Sequence, residues 1–269
     1  MSMDRVFSRY FGLFGKIKFP KAVQTFINEQ YIKYFKLDMS EFDKASEYES
    51  LNALFTRNFL KEREFDKDKQ IFISPCDGTC LSSGTTKDGM AFSIKGKTYS
   101  LKELLGQSIS EVELKNEYDF ANIYLSPKDY HHYHAPCDLK ILKAVHMGGK
   151  LYSVAKKWLE KVDGLYAKNE RVALRCQMDN GKLMWLVFVG ALNVSKMKFT
   201  FDERIQTNAN ASQVQVYGYE NLYVKKGERL GNFELGSTIL IINEKDAIEY
   251  NLSEEKQIKQ AETIGLVRL

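Results

Sequence analysis

The chain is 269 residues long, with 44% apolar residues and a formal net charge of +4. That length and composition allow one large domain or two small ones around a real core, and they exclude a disordered chain. No segment approaches the roughly 20 uninterrupted apolar residues of a membrane span, so the chain is expected to be soluble or peripheral rather than integral.

The charge is unevenly placed. Residues 1–36 hold seven basic and two acidic side chains, a local excess of +5, so the remaining 233 residues sum to −1. The cations interleave with Val6, Phe7, Tyr10, Phe11, Leu13, Phe14, Ile17 and Phe19. Arg9 and Lys16 break this stretch, which makes it a poor signal peptide. No nucleic-acid partner is expected. The four cysteines (Cys76, Cys80, Cys137 and Cys176) form no C-x-x-C pair and suggest packing thiols in a reducing compartment rather than a disulfide framework.

In residues 4–19, Phe7, Tyr10, Phe11 and Phe14 follow the i, i+3, i+4, i+7 spacing of a helix face. A wide aromatic face flanked by cations suits a membrane interface, and it equally suits packing on the domain's own core. Gly12 and Gly15 weaken it as a free-standing helix. Pro20 opens a second helical pattern to about Phe35. A third is expected from Ser46, where Ser46-Glu47-Tyr48-Glu49 matches a capping box, with Leu51, Leu54 and Phe55 as its buried stripe.

After a charged linker over residues 61–70 the character turns to β. A short strand is expected at 71–74, followed by the Pro75-Cys76-Asp77-Gly78 turn, in which Pro fixes φ and Gly tolerates positive φ. Lys87-Asp88-Gly89 is another turn. Ser100-Leu101-Lys102-Glu103 is a second capping box. Asp179-Asn180-Gly181 joins 172–178 to 182–189 as the clearest hairpin. Further strands are expected at 122–125, 141–146, 212–217 and 238–242. Strand–helix–strand alternation is missing after residue 70, which argues against a parallel sheet. The expected fold is α+β: N-terminal helices over 1–60, then an antiparallel β-rich body, sandwich- or barrel-like, over 61–269.

Two stretches could carry chemistry. Near the C-terminus a polar turn leads through Leu235 and Gly236 to Ser237 and an apolar β-branched run, so Ser237 stands at the mouth of a buried strand. Its plain reading is a Gly-Ser turn. Three of the chain's four histidines, His131, His132 and His134, lie within four residues. A helical turn capped by Ser126 would put His131 and His134 on one face, whereas a strand would pair His132 with His134. The cluster could bind zinc, supply a general base or be a polar patch. No further ligand motif completes a metal site, and none is expected. An Asp–His–Ser arrangement recurs in any chain order, so Asp77, His134 and Ser237 are candidate acid, base and nucleophile, although Asp before Gly is also an ordinary turn.

Taken together, several stretches resemble the pyruvoyl-dependent phosphatidylserine decarboxylases of prokaryotic type. They are Leu51-Asn52-Ala53-Leu54-Phe55-Thr56-Arg57, Ser74-Pro75-Cys76-Asp77-Gly78, Ile94-Lys95-Gly96-Lys97-Thr98-Tyr99-Ser100-Leu101 and residues 124–137. Asn169-Glu170-Arg171-Val172 and Lys226-Gly227-Glu228-Arg229-Leu230-Gly231, running into Leu235-Gly236-Ser237-Thr238, complete them. His132 stands where family members often carry Arg, and Ala135 where Met is common.

The resemblance implies self-cleavage between Gly236 and Ser237. Ser237 would attack the Gly236 carbonyl, His134 would take its proton and Asp77 would orient His134. The product would be a pyruvoyl cofactor, derived from Ser237, at the head of a fragment 237–269 that stays bound to fragment 1–236 as a heterodimer. The cofactor would form an imine with phosphatidylserine, release CO2 and give phosphatidylethanolamine, with His131 and His134 handling the proton. The substrate implies docking on an anionic membrane, at its cytoplasmic face, with the +5 segment as the natural contact. A homodimer is left open. The competing readings are a serine hydrolase using the same three residues, a β-rich carrier module and a zinc protein.

Overall fold

The computed structural model describes residues 14–86, 90–94, 97–154, 156–159, 161–191, 196–207, 213–234 and 237–268. Most of the helix expected over 4–19, the Lys87-Asp88-Gly89 turn and residue Gly236 lie outside them.

Helix α1, Lys21–Phe35, begins directly after Pro20 and ends where Lys36 turns left-handed at φ 54°. Its two fully buried side chains are polar. Gln24 Nε2 donates to Asn28 Oδ1 at 2.9 Å, and Asn28 Nδ2 donates to the carbonyls of Ala45 and Tyr48, each at 2.9 Å. Its Phe26 and Tyr34 are 60% and 79% exposed, while Tyr31, Ile32 and Phe35 pack on Leu37, Tyr48, Leu51 and Leu54.

Helix α2, Leu51–Phe55, starts later than its sequence suggests. Ser50 is the cap, its hydroxyl accepting from Ala53 N at 3.1 Å, and Ser46 sits in a 3-10 turn with its hydroxyl on Glu47. Asn28 holds the carbonyls on both sides of Ser46, which keeps that segment as a turn and displaces the start of the helix. The serine half of the second capping box is formed: Ser100 Oγ accepts from Glu103 N at 3.3 Å at the head of α3, Leu101–Leu105.

The body is built from short strands: β1 Ile71–Ile73, β2 Gly78–Thr85, β3 Met90–Ile94, β4 Lys97–Ser100, β5 Tyr118–Leu125, β6 His132–His134, β7 Leu139–Met147, β8 Arg171–Met178 and β9 Leu183–Val189. They continue as β10 Lys196–Phe199, β11 Val214–Val224, β12 Arg229–Glu234, β13 Ser237–Glu244, β14 Ile248–Tyr250, β15 Gln257–Ile258 and β16 Thr263–Val267. Eight of them form one sheet in the order β11-β7-β8-β9-β13-β5-β2-β15, and every strand pair is antiparallel. The β8–β9 hairpin turns at Gly181, φ 80°, as its Asp-Asn-Gly sequence requires.

The edge strands β11 and β15 do not pair with each other, so the sheet is open and the barrel alternative is not realised. Instead the sheet is buried on both faces. Ile123, Leu125, Ile239 and Ile241 pack with Tyr133 and Phe233 of the small β10-β12-β6 sheet, while Leu240 and Ile242 pack with Leu101, Leu104 and Tyr166. Strand β13 is therefore buried at almost every position, and its Ile239–Ile242 run is continuously apolar instead of alternating.

Candidate active site

Ser237 opens β13, opposite Leu125 of β5. The period-two rule puts its side chain on the face of Ile239 and Ile241, the face covered by the β6/β12 layer. The side chain is fully buried, and Oγ has no hydrogen-bond partner among the described residues. A buried hydroxyl without a partner costs about 1–3 kcal/mol, a cost expected where a group is kept for reaction rather than for structure.

The histidine loop leaves β5 beside Ser237. Over residues 126–130 it makes a tight turn, in which Asp129 Oδ2 accepts from both the backbone N and the hydroxyl of Ser126 at 2.7 Å. The chain then returns as β6, antiparallel to β12, with His134 opposite Arg229 and His132 opposite Asn232. Phe233 N donates to His131 O at 2.9 Å, so of the three histidines His131 pairs farthest toward the C-terminal end of β12. The extended conformation of β6 puts His132 and His134 on one face, as the strand alternative required, and both rings pack on Tyr130 at 4.8 and 5.9 Å.

Each imidazole has its tautomer set by a backbone carbonyl. Nδ1–H of His131 donates to Asp129 O at 2.7 Å, Nε2–H of His132 to Thr56 O at 2.9 Å, and Nδ1–H of His134 to Gly227 O at 2.8 Å. The opposite nitrogen is then a bare lone pair. In His134 that nitrogen, Nε2, accepts from Tyr130 Oη at 3.2 Å; in His131 and His132 it has no partner. Burial disfavours protonation of all three. It holds His131 well below the usual imidazole value, lowers His134 and pushes His132 down to about 3. All three are neutral bases at physiological pH.

Asp77 lies in its turn as the sequence suggested, but its carboxylate is committed elsewhere. Arg63 donates to Oδ1 at 2.5 Å and to Oδ2 at 3.3 Å, and Gln260 N donates to Oδ1 at 2.7 Å. Glu41 grips the other side of Arg63 at 2.8 and 2.7 Å. Among the described residues no hydrogen bond joins Asp77, His134 and Ser237. The Asp77 segment does reach His134 through the backbone, because His134 N donates to Pro75 O at 2.8 Å.

Three consecutive residues brace this loop from the helical layer. The Phe55 ring stands 3.9 Å from the His131 ring, Thr56 O holds His132, and Arg57 Nη2 donates to Lys128 O at 2.7 Å. Sequence reasoning singled out neither Arg57, Arg63, Glu41 and Tyr130 nor Gly227 as site residues. Arg57 and Gly227 fell inside recognisable motifs, whereas Arg63 fell in a stretch that reads as a charged linker. Gly227 has φ 81°, and a Cβ there would meet the Phe65 ring at 2.4 Å. Any other residue would disturb the carbonyl that orients His134.

A family model described as phosphatidylserine decarboxylase matches residues 51–266. A phosphatidylserine decarboxylase proenzyme of Campylobacter jejuni is 54% identical over 269 residues, covering 98% of this chain and 100% of its own. Proenzymes of the same name from Helicobacter pylori and Idiomarina loihiensis are 46% and 36% identical, covering 98% and 91% of this chain and 98% and 85% of their own. The chain belongs to the phosphatidylserine decarboxylase family.

Proposed function

We propose that the chain is a self-processing, pyruvoyl-dependent phosphatidylserine decarboxylase. The carrying observation is Ser237, which heads a core strand in a chain of this family and is fully buried with an unpartnered hydroxyl. That site suits a pyruvoyl group made in place from Ser237. Ser237 Oγ attacks the Gly236 carbonyl, and the acyl group moves from the Ser237 nitrogen to its oxygen. Loss of the Ser237 Hα proton and of the Gly236 carboxylate, which keeps the Ser237 oxygen, leaves a dehydroalanine; its imine tautomer takes up water and releases ammonia, leaving the pyruvoyl group. The Ser237 proton goes to the bare Nε2 of His134, which must first leave Tyr130, and Asp77 favours the charged imidazolium through its field.

The pyruvoyl group supplies a carbonyl for the substrate's amine and a sink for the electron pair released with CO2. His131 takes up a proton at its bare Nε2 and gives it to the reacting carbon once CO2 has left. Enclosure of the site favours loss of the carboxylate, whose charge water would otherwise stabilise.

Fragments 1–236 and 237–269 stay together as a heterodimer because β13 is paired with β5 along Ser237–Glu244 and with β9 along Thr238–Asn243. Residues 1–60 serve as the docking region on the cytoplasmic face of an anionic membrane, and residues 61–269 as the catalytic body. No helix among the described residues is long and apolar enough to cross a membrane, and the exposed aromatics of α1 give an interfacial surface. The test is conversion of phosphatidylserine in mixed micelles to phosphatidylethanolamine and CO2. Wild-type protein converts it and Ser237→Ala does not; equal turnover by the two would overturn the proposal.

A further inference from the structure

Beside the histidine loop lies a cavity of ≈430 Å³ whose walls include Phe42, Arg57, Lys128 and Lys36. Its charges, five cations and five carboxylates, fall into three groups. Arg63 is neutralised by Glu41 and Asp77, Lys259 stands 3.8 Å from Glu41, and Glu262 is paired with Lys256 at 3.3 Å. The remaining carboxylates are held by uncharged donors, Asp38 by Ser40 N at 3.0 Å and Asp129 by Ser126. Lys36, Lys128 and Arg57 have no ion-pair partner among the described residues.

Arg57 is the unusual member. It is 2% exposed, its guanidinium carbon lies 4.4 Å from the Phe42 ring centroid, and only Nη2 has acceptors, the carbonyls of Lys128 and Asp129. Nε and Nη1 are buried with no partner. A buried guanidinium with two idle nitrogens is costly unless an anion completes it, and its fork matches the oxygens of a phosphate.

On the decarboxylase reading the substrate carries two anionic groups, and the chemistry separates them. A cation on the carboxylate would stabilise the ground state and oppose its loss, because only interactions that strengthen in the transition state speed the reaction. The phosphodiester keeps its charge throughout and is the group a fixed cation can hold without penalty. We propose that Arg57, with Lys128 and Lys36, forms the subsite for the lipid phosphodiester. Arg57 also ties the subsite to the histidine loop through the Lys128 carbonyl, so a seated headgroup stiffens the segment that carries His131.

The test is calorimetric titration of the uncleaved Ser237→Ala chain with sn-glycero-3-phosphoethanolamine, the water-soluble headgroup of the product. No pyruvoyl group is needed, so loss of headgroup binding and loss of decarboxylation are separate results. The headgroup is expected to bind while ethanolamine and L-serine do not. The Lys36→Gln/Lys128→Gln double variant, which keeps Arg57, should bind about tenfold more weakly, and Arg57→Gln weaker still. If Arg57→Gln fails to fold, the double variant decides. Absent binding, or equal affinity in the wild-type-sequence pocket and the double variant, would overturn the subsite. Binding of inorganic phosphate without the glycerophosphoethanolamine would overturn its assignment to the lipid headgroup.

Discussion

Arg63 holds Asp77 by both carboxylate oxygens, at 2.5 and 3.3 Å, and is itself clamped by Glu41. The residue proposed to charge-stabilise His134 is therefore oriented by a guanidinium from the helical side of the molecule. Asp77→Asn should slow self-cleavage by about 10² or more, the range of a general acid–base contribution. Arg63→Gln should slow it by less than about tenfold, because the charge of Asp77 remains. Time courses of chain cleavage would measure both. Equal losses in the two single variants, with no further loss in the double variant, would reduce Asp77 to a partner for Arg63.

Tyr130 sits on the lone pair that the proposed mechanism needs. Its hydroxyl is 3.2 Å from His134 Nε2, and its ring is stacked on Phe59 at 4.0 Å, so Phe at this position keeps the packing. Tyr130→Phe should cleave at least as fast as wild type. A loss of about 10² would instead make Tyr130 a proton relay between His134 and the reacting atoms.

The three buried imidazoles predict an acid-sensitive fold. Their folded values lie below the ordinary 6.5, so below pH 6.5 the unfolded chain binds more protons than the folded one. Their contribution is fully present above pH 6.5 and is lost as pH falls below it, by up to about 1.4 kcal/mol per pH unit for each group. Urea midpoints should be flat from pH 7 to 8.5 and fall toward pH 5. His132→Asn should reduce that slope by about one proton; an unchanged slope would show that His132 does not supply it.

The exposed face of α1 predicts the membrane contact. Phe26 and Tyr34 present two rings while the helix buries Gln24 and Asn28. Phe26→Ser/Tyr34→Ser should weaken sedimentation with phosphatidylserine vesicles about tenfold or more. Unchanged binding would move the docking surface to other residues.

Much of this arrangement could be read in the sequence because its signals are local. Pro20 marked the start of α1, Ser100 capped α3, and Asp179-Asn180-Gly181 set the β8–β9 turn. Each depends on the chemistry of a few neighbouring residues. The start of α2 was misread because Asn28, about 20 residues away, holds the Ser46 segment as a turn. β6 has only three residues, and in β12 Gly231 and Asn232 interrupt any apolar alternation. The site behaves the same way. Ser237, Asp77 and the histidines lie in recognisable motifs, but the carbonyls that set each tautomer and the diversion of Asp77 to Arg63 exist only once the loops are packed. Nothing in a run of charges at 61–70 distinguishes Arg63 from its solvated neighbours.

On the proposed mechanism, the chain itself breaks the bond between Gly236 and Ser237. Denaturing mass spectrometry of the purified protein tests it most directly. Two chains are expected, residues 1–236 and 237–269, the smaller beginning with a pyruvoyl group, with a single uncut chain for Ser237→Ala. A single intact 269-residue chain in protein that decarboxylates phosphatidylserine would contradict it.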